Sequence, residues 1–246
     1  MHQKTTPFIA CISDIHLSEH NPGITRLFKH YLTHIAPQAE ALYILGDLFD
    51  SWVGDDAATD YHRSIITLLK QTSDQTPLFL VPGNRDFLLG HAFYNATGIT
   101  KLDDISTHQF FNTRVTLFHG DSFCTADISY QILRRIFRCQ WIQYLFLKLP
   151  VDTRRKIGQQ ARNTSRKATR KKPATQFNID HNAVLKTLKQ SHSNAAVYGH
   201  IHRIEHTPYP NNNTFSISLT DWTNKQGNHI QFFPDGTHVF TYISLA

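Results

Sequence analysis

The stretch FIACISDIH, residues 8–16, begins with a run of apolar residues and ends in a polar segment that contains Asp14 and His16. A continuous apolar run of this length is typical of a strand that is buried on both faces, as in the parallel sheets of α/β proteins. In such sheets, ligands bind at the carboxyl ends of the strands, where the connecting loops converge. The stretch therefore predicts an α/β fold with Asp14 and His16 at a binding site.

Four further apolar runs follow the same pattern, at residues 42–45, 78–81, 115–118 and 195–198. The polar groups that follow all five runs are Asp14 and His16, Gly46-Asp47, Gly83-Asn84, His119-Gly120-Asp121, and Gly199-His200 with His202. Because these groups come at corresponding strand ends, residues up to 188 positions apart are expected to meet at one point. The neighbouring glycines let backbone and substrate approach closely.

The remainder of the chain is consistent with an α/β sheet system and a β-rich C-terminal part. Helical segments are predicted near residues 24–36, 60–71 and 181–189. After His206 the sequence alternates between apolar and polar residues, which predicts strands at 214–219, 229–233 and 238–243. We expect one domain over residues 1–246, interrupted by a helical insertion at about 124–175.

The composition is that of a globular protein rich in histidine. Of 246 residues, 40% are apolar and 12% aromatic, which suffices for a core and excludes a disordered chain. There are sixteen histidines, and histidine is the commonest metal ligand. Three cysteines without C-x-x-C spacing argue against a disulfide framework or a thiolate zinc site. The sequence has neither a signal-peptide pattern nor an apolar run of about 18 residues, so we expect an intracellular protein without a membrane span.

The residues at the strand ends form a mixed oxygen and nitrogen ligand set. It contains two carboxylates, one amide and four histidines: Asp14, His16, Asp47, Asn84, His119, His200 and His202. This mixture suits Mn²⁺, Zn²⁺ or Fe²⁺ better than the all-oxygen sites of Mg²⁺ or Ca²⁺. Seven ligands are too many for one tetrahedral ion, but they suit two ions about 3.5–4 Å apart that share a carboxylate. Each short motif alone is common, and the prediction depends on finding them in order at five strand ends.

Taken together, the motifs resemble those of the calcineurin-like metallophosphoesterases. The resemblance rests on Asp14-x-His16, Gly46-Asp47-x-x-Asp50, Gly83-Asn84-Arg85-Asp86, His119-Gly120-Asp121 and Gly199-His200-x-His202. Within this superfamily, residues 46–52, 83–86 and 119–125 are similar to the UDP-2,3-diacylglucosamine pyrophosphatases of lipid A synthesis, as are the insertion and the chain length. The resemblance covers most of the chain and implies a four-layer αββα sandwich of two mixed sheets, with the insertion as a helical lid.

The resemblance implies a metal assignment and a reaction. One Mn²⁺ ion takes Asp14, His16, Asp47 and His202, and a second takes Asp47, Asn84, His119 and His200, so that Asp47 bridges the two. The implied reaction is hydrolysis of the pyrophosphate bond of UDP-2,3-diacylglucosamine by a metal-activated water. Its products are UMP and 2,3-diacylglucosamine 1-phosphate.

The resemblance also implies roles for individual side chains. The catalytic residues would be Asp47, Asn84, Arg85 and His119. The substrate contacts would be Asn84, Arg85, Asp127, Ser165, Thr169, Lys172 and His200, with Tyr130 as a weaker candidate. Asp50, Asp86 and Asp121 are expected to orient ligand histidines and loops rather than to act directly. Asp55 and Asp56 are interpreted as loop residues without an assigned role.

Arg85 distinguishes this chain from the wider superfamily, which usually has histidine at this position. Histidine can protonate an alkoxide leaving group, whereas arginine stays charged at physiological pH and donates no useful proton. Arginine can instead bind phosphate oxygens through two parallel hydrogen bonds. A phosphate leaving group is already a weak base and needs no general acid, so Arg85 indicates cleavage of a P–O–P bond.

The insertion is both apolar and basic. Residues 128–150 carry apolar side chains at helical spacing, flanked by Arg134, Arg135, Arg138 and Lys148. The net charge of the chain is +6, and the nine cations of an acid-free stretch at residues 153–179 account for this excess. An apolar helix followed by a basic stretch is typical of a segment that lies at a membrane interface. An ordinary buried helix next to a solvated one fits the segment equally well.

These features suggest a partner and leave two alternatives open. The leading interpretation is an acylated sugar-nucleotide substrate and a monomer bound peripherally to the cytoplasmic face of the inner membrane, without nucleic acid. A nuclease or nucleotide phosphodiesterase could use the basic stretch to bind a phosphate backbone, although single-strand binders interleave aromatic residues with cations. A scaffold that has lost its metals is disfavoured because all seven expected ligands are present.

Overall fold

The computed structural model describes residues 6–171, 178–210 and 213–245, and its strands form two mixed sheets. The strands are β1 (Ile9–Ile12), β2 (Ala41–Ile44), β3 (Leu78–Leu80), β4 (Thr100–Lys101), β5 (Ile105–Phe110), β6 (Thr113–Phe118), β7 (Ala195–Tyr198), β8 (Glu205–Tyr209), β9 (Thr214–Ser218), β10 (Gly227–Phe232) and β11 (His238–Ile243). The first sheet has the order β11-β10-β1-β2-β3-β4, and the second has the order β5-β6-β7-β9-β8. Strands β1 to β4 are parallel to one another, as are β6, β7 and β9.

The described residues form seven α-helices. They are α1 (Pro22–His34), α2 (Asp60–Ser73), α3 (His91–Thr97), α4 (Ile128–Arg138), α5 (Gln140–Leu147), α6 (Val151–Lys171) and α7 (His181–Ser191). One apolar cluster joins α1, α2 and α3 to the first sheet, a second fills the space between the sheets, and a third joins α7 to the second sheet. The predicted αββα order of layers is therefore confirmed.

The five buried strands that follow from the sequence are all present, with ends within two residues of the predicted ones. Strands β1, β2, β3 and β7 are buried or nearly buried at every position, as their continuous apolar runs predicted. Of the described strands and α-helices, four do not follow from the sequence: α3, β4, β5 and β8. Strand β8 contains Pro208 and lies at an edge of its sheet, where a residue without an N–H is tolerated.

The apolar segment at residues 128–150 forms two helices rather than one. The break between α4 and α5 falls at Cys139, whose backbone is extended. No residue of α4 or α5 is buried, and the exposed apolar side chains include Ile128, Ile132, Leu133, Ile136, Phe137, Trp141, Ile142, Tyr144, Leu145 and Leu147. The alternative of an ordinary buried helix is therefore wrong for these two helices. Helix α6 follows them, and none of the described helices is long and apolar enough to span a bilayer.

His229 on β10 should make the fold less stable as the pH falls. Burial lowers the pKa of His229 to about 4, whereas the pKa of a histidine in the unfolded chain is about 6.5. As the pH falls from about 6.5 to about 4, the unfolded chain takes up the proton first. The free energy of unfolding should therefore fall by up to about 1.4 kcal/mol per pH unit in this window.

Substituting His229 should reduce the loss of stability at low pH. In His229→Gln, denaturant unfolding with metal present should depend less on pH between about 4 and 6.5 than in the wild type, because the titrating group is gone. The exposed His20→Gln is the matched control. Equal acid sensitivity in both variants and the wild type would show that His229 does not contribute.

Candidate active site

The seven predicted ligands converge at the carboxyl ends of five strands. Asp14, Asp47 and Asn84 follow β1, β2 and β3 of the first sheet, and His119 and His200 follow β6 and β7 of the second. Five of the seven have a left-handed backbone, with φ between 52° and 70°: Asp14, His16, Asp47, His200 and His202. Such a conformation costs an ordinary residue about 1 kcal/mol or more, and strained backbone concentrates at functional sites.

One group of side chains surrounds Asp14. The Asp14 carboxylate lies 3.3 Å from Nε2 of His202 and 3.9 Å from Nε2 of His16, and these two Nε2 atoms are 3.3 Å apart. The other carboxylate oxygen accepts a hydrogen bond from the backbone of His200 at 2.9 Å. These side chains therefore present one carboxylate oxygen and two imidazole nitrogens to a common point.

A second group surrounds Asp47. Nε2 of His119 lies 3.6 Å from Oδ1 of Asp47 and 2.9 Å from Oδ1 of Asn84. Nδ1 of His119 donates to the carbonyl oxygen of Leu45 at 2.8 Å, which fixes the ring so that Nε2 faces the site. The ring of His200 lies 5.1 Å from that of His119, at the edge of this group. Asp47 also lies 3.9 Å from Nδ1 of His16, so it connects the two groups.

Two glycines make this crowding possible. A Cβ atom at Gly83 would overlap both the carboxylate and the backbone nitrogen of Asp47, and one at Gly199 would overlap Ser13 and the carboxylate of Asp14. The strand ends can approach each other only because these positions carry no side chain. The close approach expected from the sequence is therefore confirmed at Gly83 and Gly199.

The site combines buried carboxylates with two histidines whose pKa is lowered, His16 and His200, and two whose pKa is raised, His119 and His202. Burial raises the pKa of Asp47 to about 7 and lowers the pKa values of His16 and His200 to about 3 and about 4. Burial also tends to lower the pKa of His119, but the charges of Asp47 and Asp14 raise it to about 9. A divalent cation would stabilise both carboxylates, since a buried charge is costly without a counterion.

The donors fit a divalent metal. Oδ1 of Asp14 and Nδ1 of His16 are buried and form no hydrogen bond with any described residue. Potential ligand atoms of Asp14, His16 and His202 lie within 4.8 Å of one another, as do those of Asp14, Asp47 and His119. Carboxylate oxygen and imidazole nitrogen together suit a divalent transition metal.

Comparison with known proteins assigns this chain to a family. The sequence model of the calcineurin-like phosphoesterases matches residues 9–203, a span that contains all seven predicted ligands. The chain belongs to the calcineurin-like phosphoesterase family. The family assignment expected from the motifs is thus confirmed, together with the fold and a role for divalent metal.

Several curated relatives resemble this phosphoesterase over nearly its whole length. A UDP-2,3-diacylglucosamine hydrolase of Pseudomonas fluorescens (strain SBW25) is 42% identical over 231 residues, covering 93% of this chain and 92% of the relative. A protein of the same name from Coxiella burnetii (strain Dugway 5J108-111) is 38% identical, with 92% and 93% covered. A third, from Vibrio parahaemolyticus, is 37% identical, with 92% and 94% covered.

The three additional aspartates of the motifs lie around the phosphoesterase centre. Asp86 is buried and accepts hydrogen bonds from the backbone of Leu48, Phe49 and Gly83, so it ties together the loops that carry Asp47 and Asn84. Asp50 pairs with Arg162 and lies 3.8 Å from Arg85. These contacts agree with the expected orienting role of Asp86 and Asp50.

Asp121 contacts the insertion rather than a ligand histidine. It accepts hydrogen bonds from the hydroxyl of Tyr130 at 2.9 Å and from Nε of Arg134 at 2.8 Å. Burial tends to raise the pKa of Asp121, but the nearby His119 and Arg134 hold it well below its ordinary value. The charge of Asp121 therefore acts on His119 through space, while its hydrogen bonds hold α4.

Five cations of the insertion contact polar groups of the fold. Arg134 and Arg138 of α4 donate to Asp104 and to groups of the site loops. On α6, Arg154 is 1% exposed and pairs with Asp56, Arg155 donates to the carbonyl oxygen of Ala57, and Arg162 pairs with Asp50. Their spacing of four on α4, and of eight between Arg154 and Arg162, is the signal in the sequence that they share an inward face.

The structure shows the contacts of some of the remaining predicted residues, whereas others lie outside the described part of the chain. Asp127 caps α4, accepting a hydrogen bond from the backbone of Tyr130. Asp55 and Asp56 lie in a short 3-10 helix, and Asp55 accepts from the backbone of Gly90 and Phe93 at the start of α3, so both have structural partners. The side chains of Ser165 and Thr169, and Lys172, lie outside the described residues.

Proposed function

We propose that this phosphoesterase hydrolyses the pyrophosphate bond of UDP-2,3-diacylglucosamine, yielding UMP and 2,3-diacylglucosamine 1-phosphate. The curated relatives that carry this substrate in their names support the proposal, because each matches 92% or more of this chain. The observation that carries it is the position of α4. One face of this helix is bonded to the loops of the site, and the other exposes Ile132, Leu133 and Ile136 to solvent. An apolar surface beside a phosphoesterase centre suits a substrate with acyl chains.

The proposed cofactor is a pair of Mn²⁺ ions. Asp14, His16, Asp47 and His202 would hold one, and Asp47, Asn84, His119 and His200 would hold the other. When bound, such ions supply Lewis-acid chemistry, acidifying a water nucleophile and neutralising charge on phosphoryl oxygens. The chain itself contributes the alignment, since His119 is fixed by Leu45 and Asp14 is fixed by the backbone of His200.

Arg85 is the proposed ligand for the phosphate oxygens. Its backbone N–H donates to Asp47 at 2.8 Å, while its guanidinium lies 3.8 Å from both Asp47 and Asp50 and is partly open to solvent. This arrangement holds a permanent positive charge at the rim of the site, where it can stabilise charge that develops on the leaving phosphate. Asn84 and His200 would contact the substrate beside it, and Asp127, Ser165, Thr169 and Lys172 are further proposed contacts.

The test of this function compares two classes of bond. In Arg85→His, kcat for the sugar-nucleotide pyrophosphate should fall about a hundredfold, because a fixed charge on the transition state is lost. The wild type should cleave an alkyl phosphodiester much more slowly than the pyrophosphate, since it lacks an acid for the alkoxide. The proposal is overturned if Arg85→His leaves pyrophosphate cleavage unchanged while the wild type cleaves the diester equally well.

The insertion, at about residues 124–175 of a single phosphoesterase domain, is the proposed lid and membrane contact. Trp141 and Leu145 on α5 are 75% and 63% exposed, and cations such as Arg135 and Lys148 lie nearby in the sequence. Apolar side chains with flanking cations bind the surface of an anionic bilayer reversibly. We propose a monomer that acts there, on the cytoplasmic face of the inner membrane, without a nucleic-acid partner.

Removing the apolar contacts should weaken membrane binding. The double substitution Trp141→Ser and Leu145→Ser should lower partitioning onto anionic phospholipid vesicles roughly tenfold or more, from the transfer free energy of two large side chains. Val239→Ser with Tyr242→Ser is the matched control, because these exposed apolar residues lie on β11. Sedimentation with vesicles measures the effect, and equal binding of the two double variants would contradict it.

A further inference from the structure

One face of α4 carries three polar side chains at intervals of four residues, Tyr130, Arg134 and Arg138. This spacing places them on the side of the helix that faces the protein. Arg138 donates to the carbonyl oxygens of Pro82 and Gly83, at 3.1 and 3.0 Å. Arg134 donates to Asp121 at 2.8 Å. The helix thus bridges two loops that belong to different sheets.

These two loops carry Asn84 and His119, whose side chains face each other across the site. Asn84 directly follows Gly83, and His119 lies two residues before Asp121. Oδ1 of Asn84 and Nε2 of His119 are 2.9 Å apart. Because one residue comes from each sheet, their separation depends on how firmly the two loops are held together. Arg134 and Arg138 provide that connection from outside the site.

Asp104 holds the two arginines themselves. It lies in the segment where the chain passes from β4 in the first sheet to β5 in the second. One of its oxygens accepts from Arg138 at 2.8 Å and the other from Arg134 at 2.7 Å. Guanidinium groups four residues apart on a helix repel each other, and the carboxylate removes this repulsion.

The two arginines depend on Asp104 to different degrees. Arg134 also pairs with Asp121, whereas Asp104 is the carboxylate that Arg138 contacts among the described residues. Loss of Asp104 would leave Arg138 with carbonyl partners and an uncompensated neighbouring charge. The loop before Asn84 would then lose its fixed position first.

We propose that Asp104 is a positioning residue. Acting through Arg138 and Arg134, it sets the separation of Asn84 and His119 and thereby the affinity of the cation site that they share. This inference rests on the proposed metal assignment, but it does not depend on the identity of the phosphorylated substrate.

The test measures metal retention directly. Asp104→Asn and the matched Asp103→Asn are dialysed against buffers of decreasing free Mn²⁺, and the metal content per chain is measured. Asp103 is the exposed neighbouring carboxylate, whose side chain forms no hydrogen bond with a described residue. Loss of the weaker-bound ion from Asp104→Asn should occur at roughly tenfold higher free Mn²⁺, the scale expected for a residue that orients a metal ligand. Asp104→Glu should restore most of the affinity.

Kinetics provide the second readout. With saturating Mn²⁺, Asp104→Asn should lower kcat more than it changes KM, and Asp103→Asn should change neither. The same metal retention and kcat in Asp104→Asn and Asp103→Asn would overturn the proposal. The dialysis experiment requires no substrate. If the lipid did not react, that result would count against the proposed function, and metal retention would still test the role of Asp104.

A further pair covers the case in which Asp104→Asn does not fold. Arg138→Gln is then compared with Arg135→Gln, a substitution at an exposed position of the same helix. Arg138→Gln should lose the weaker-bound Mn²⁺ at the higher concentration and Arg135→Gln should not. Equal retention in the two variants would overturn the proposal.

Discussion

Asp47→Asn should reduce hydrolysis by at least about a thousandfold and lower the metal content of the purified protein, because the carboxylate is proposed to bind both ions. The metal-free variant should nevertheless be at least as stable as the metal-free wild type near pH 8. Burial raises the pKa of Asp47 to about 7, so an ionised carboxylate at this position destabilises the protein when no cation is bound. The measurements are kcat, metal analysis and thermal unfolding in the presence of a chelator.

The combination of lost activity and retained stability is the distinctive result. Asp60→Asn, at an exposed position in the first turn of α2, is the control for the charge change. A metal-free Asp47→Asn protein that unfolds well below the metal-free wild type would show that the carboxylate stabilises the fold. A variant that retains full activity would refute the assignment of Asp47 as a ligand.

Gly83→Ala should eliminate activity by a different route. The added methyl group would overlap the carboxylate and the backbone nitrogen of Asp47, so the Asp47 and Asn84 loops must move apart. Overpacking of this kind typically costs about 1–3 kcal/mol in the free energy of unfolding, and the displaced ligand should abolish metal binding at its site. Denaturant unfolding and metal analysis of the same sample measure both effects.

Gly236→Ala separates the effect of crowding from that of adding a methyl group. A Cβ atom there would contact nothing within 4 Å, although φ is +86°, so its cost is that of a left-handed backbone alone. This variant should keep its metal and its activity. If Gly83→Ala also retains both, the close approach of the two loops is not required for the site.

The positions of the metal ligands could be predicted from the sequence because each follows a continuous apolar run. Asp14, Asp47 and Asn84 are placed by strands whose burial determines where the polar residues begin. Parallel pairing of β1, β2 and β3 then brings the three loops to one edge. The left-handed backbone at the ligands could not be predicted, since it arises from the packing of these loops against one another.

The insertion shows where the sequence was ambiguous. Its apolar residues recur at helical spacing both before and after Cys139, so periodicity alone did not reveal the break between α4 and α5. Arg134 and Arg138 were interpreted as flanking cations because their partner, Asp104, lies about 30 residues away in an unremarkable loop. To predict an ion pair, one must know which two residues are in contact. A single sequence contains both residues but does not show that they meet. Strand β5 was missed because its residues are mostly polar and half exposed.

The central claim is tested most directly by identifying the product. Purified protein is incubated with Mn²⁺ and UDP-2,3-diacylglucosamine in detergent, and UMP is followed by chromatography, with Asn84→Ala as the control. We predict UMP and the diacylglucosamine 1-phosphate from the wild type and neither from the variant. Absence of UMP, together with hydrolysis of a simple diester such as bis-p-nitrophenyl phosphate, would contradict the lipid assignment and make a nuclease or nucleotide phosphodiesterase the leading interpretation.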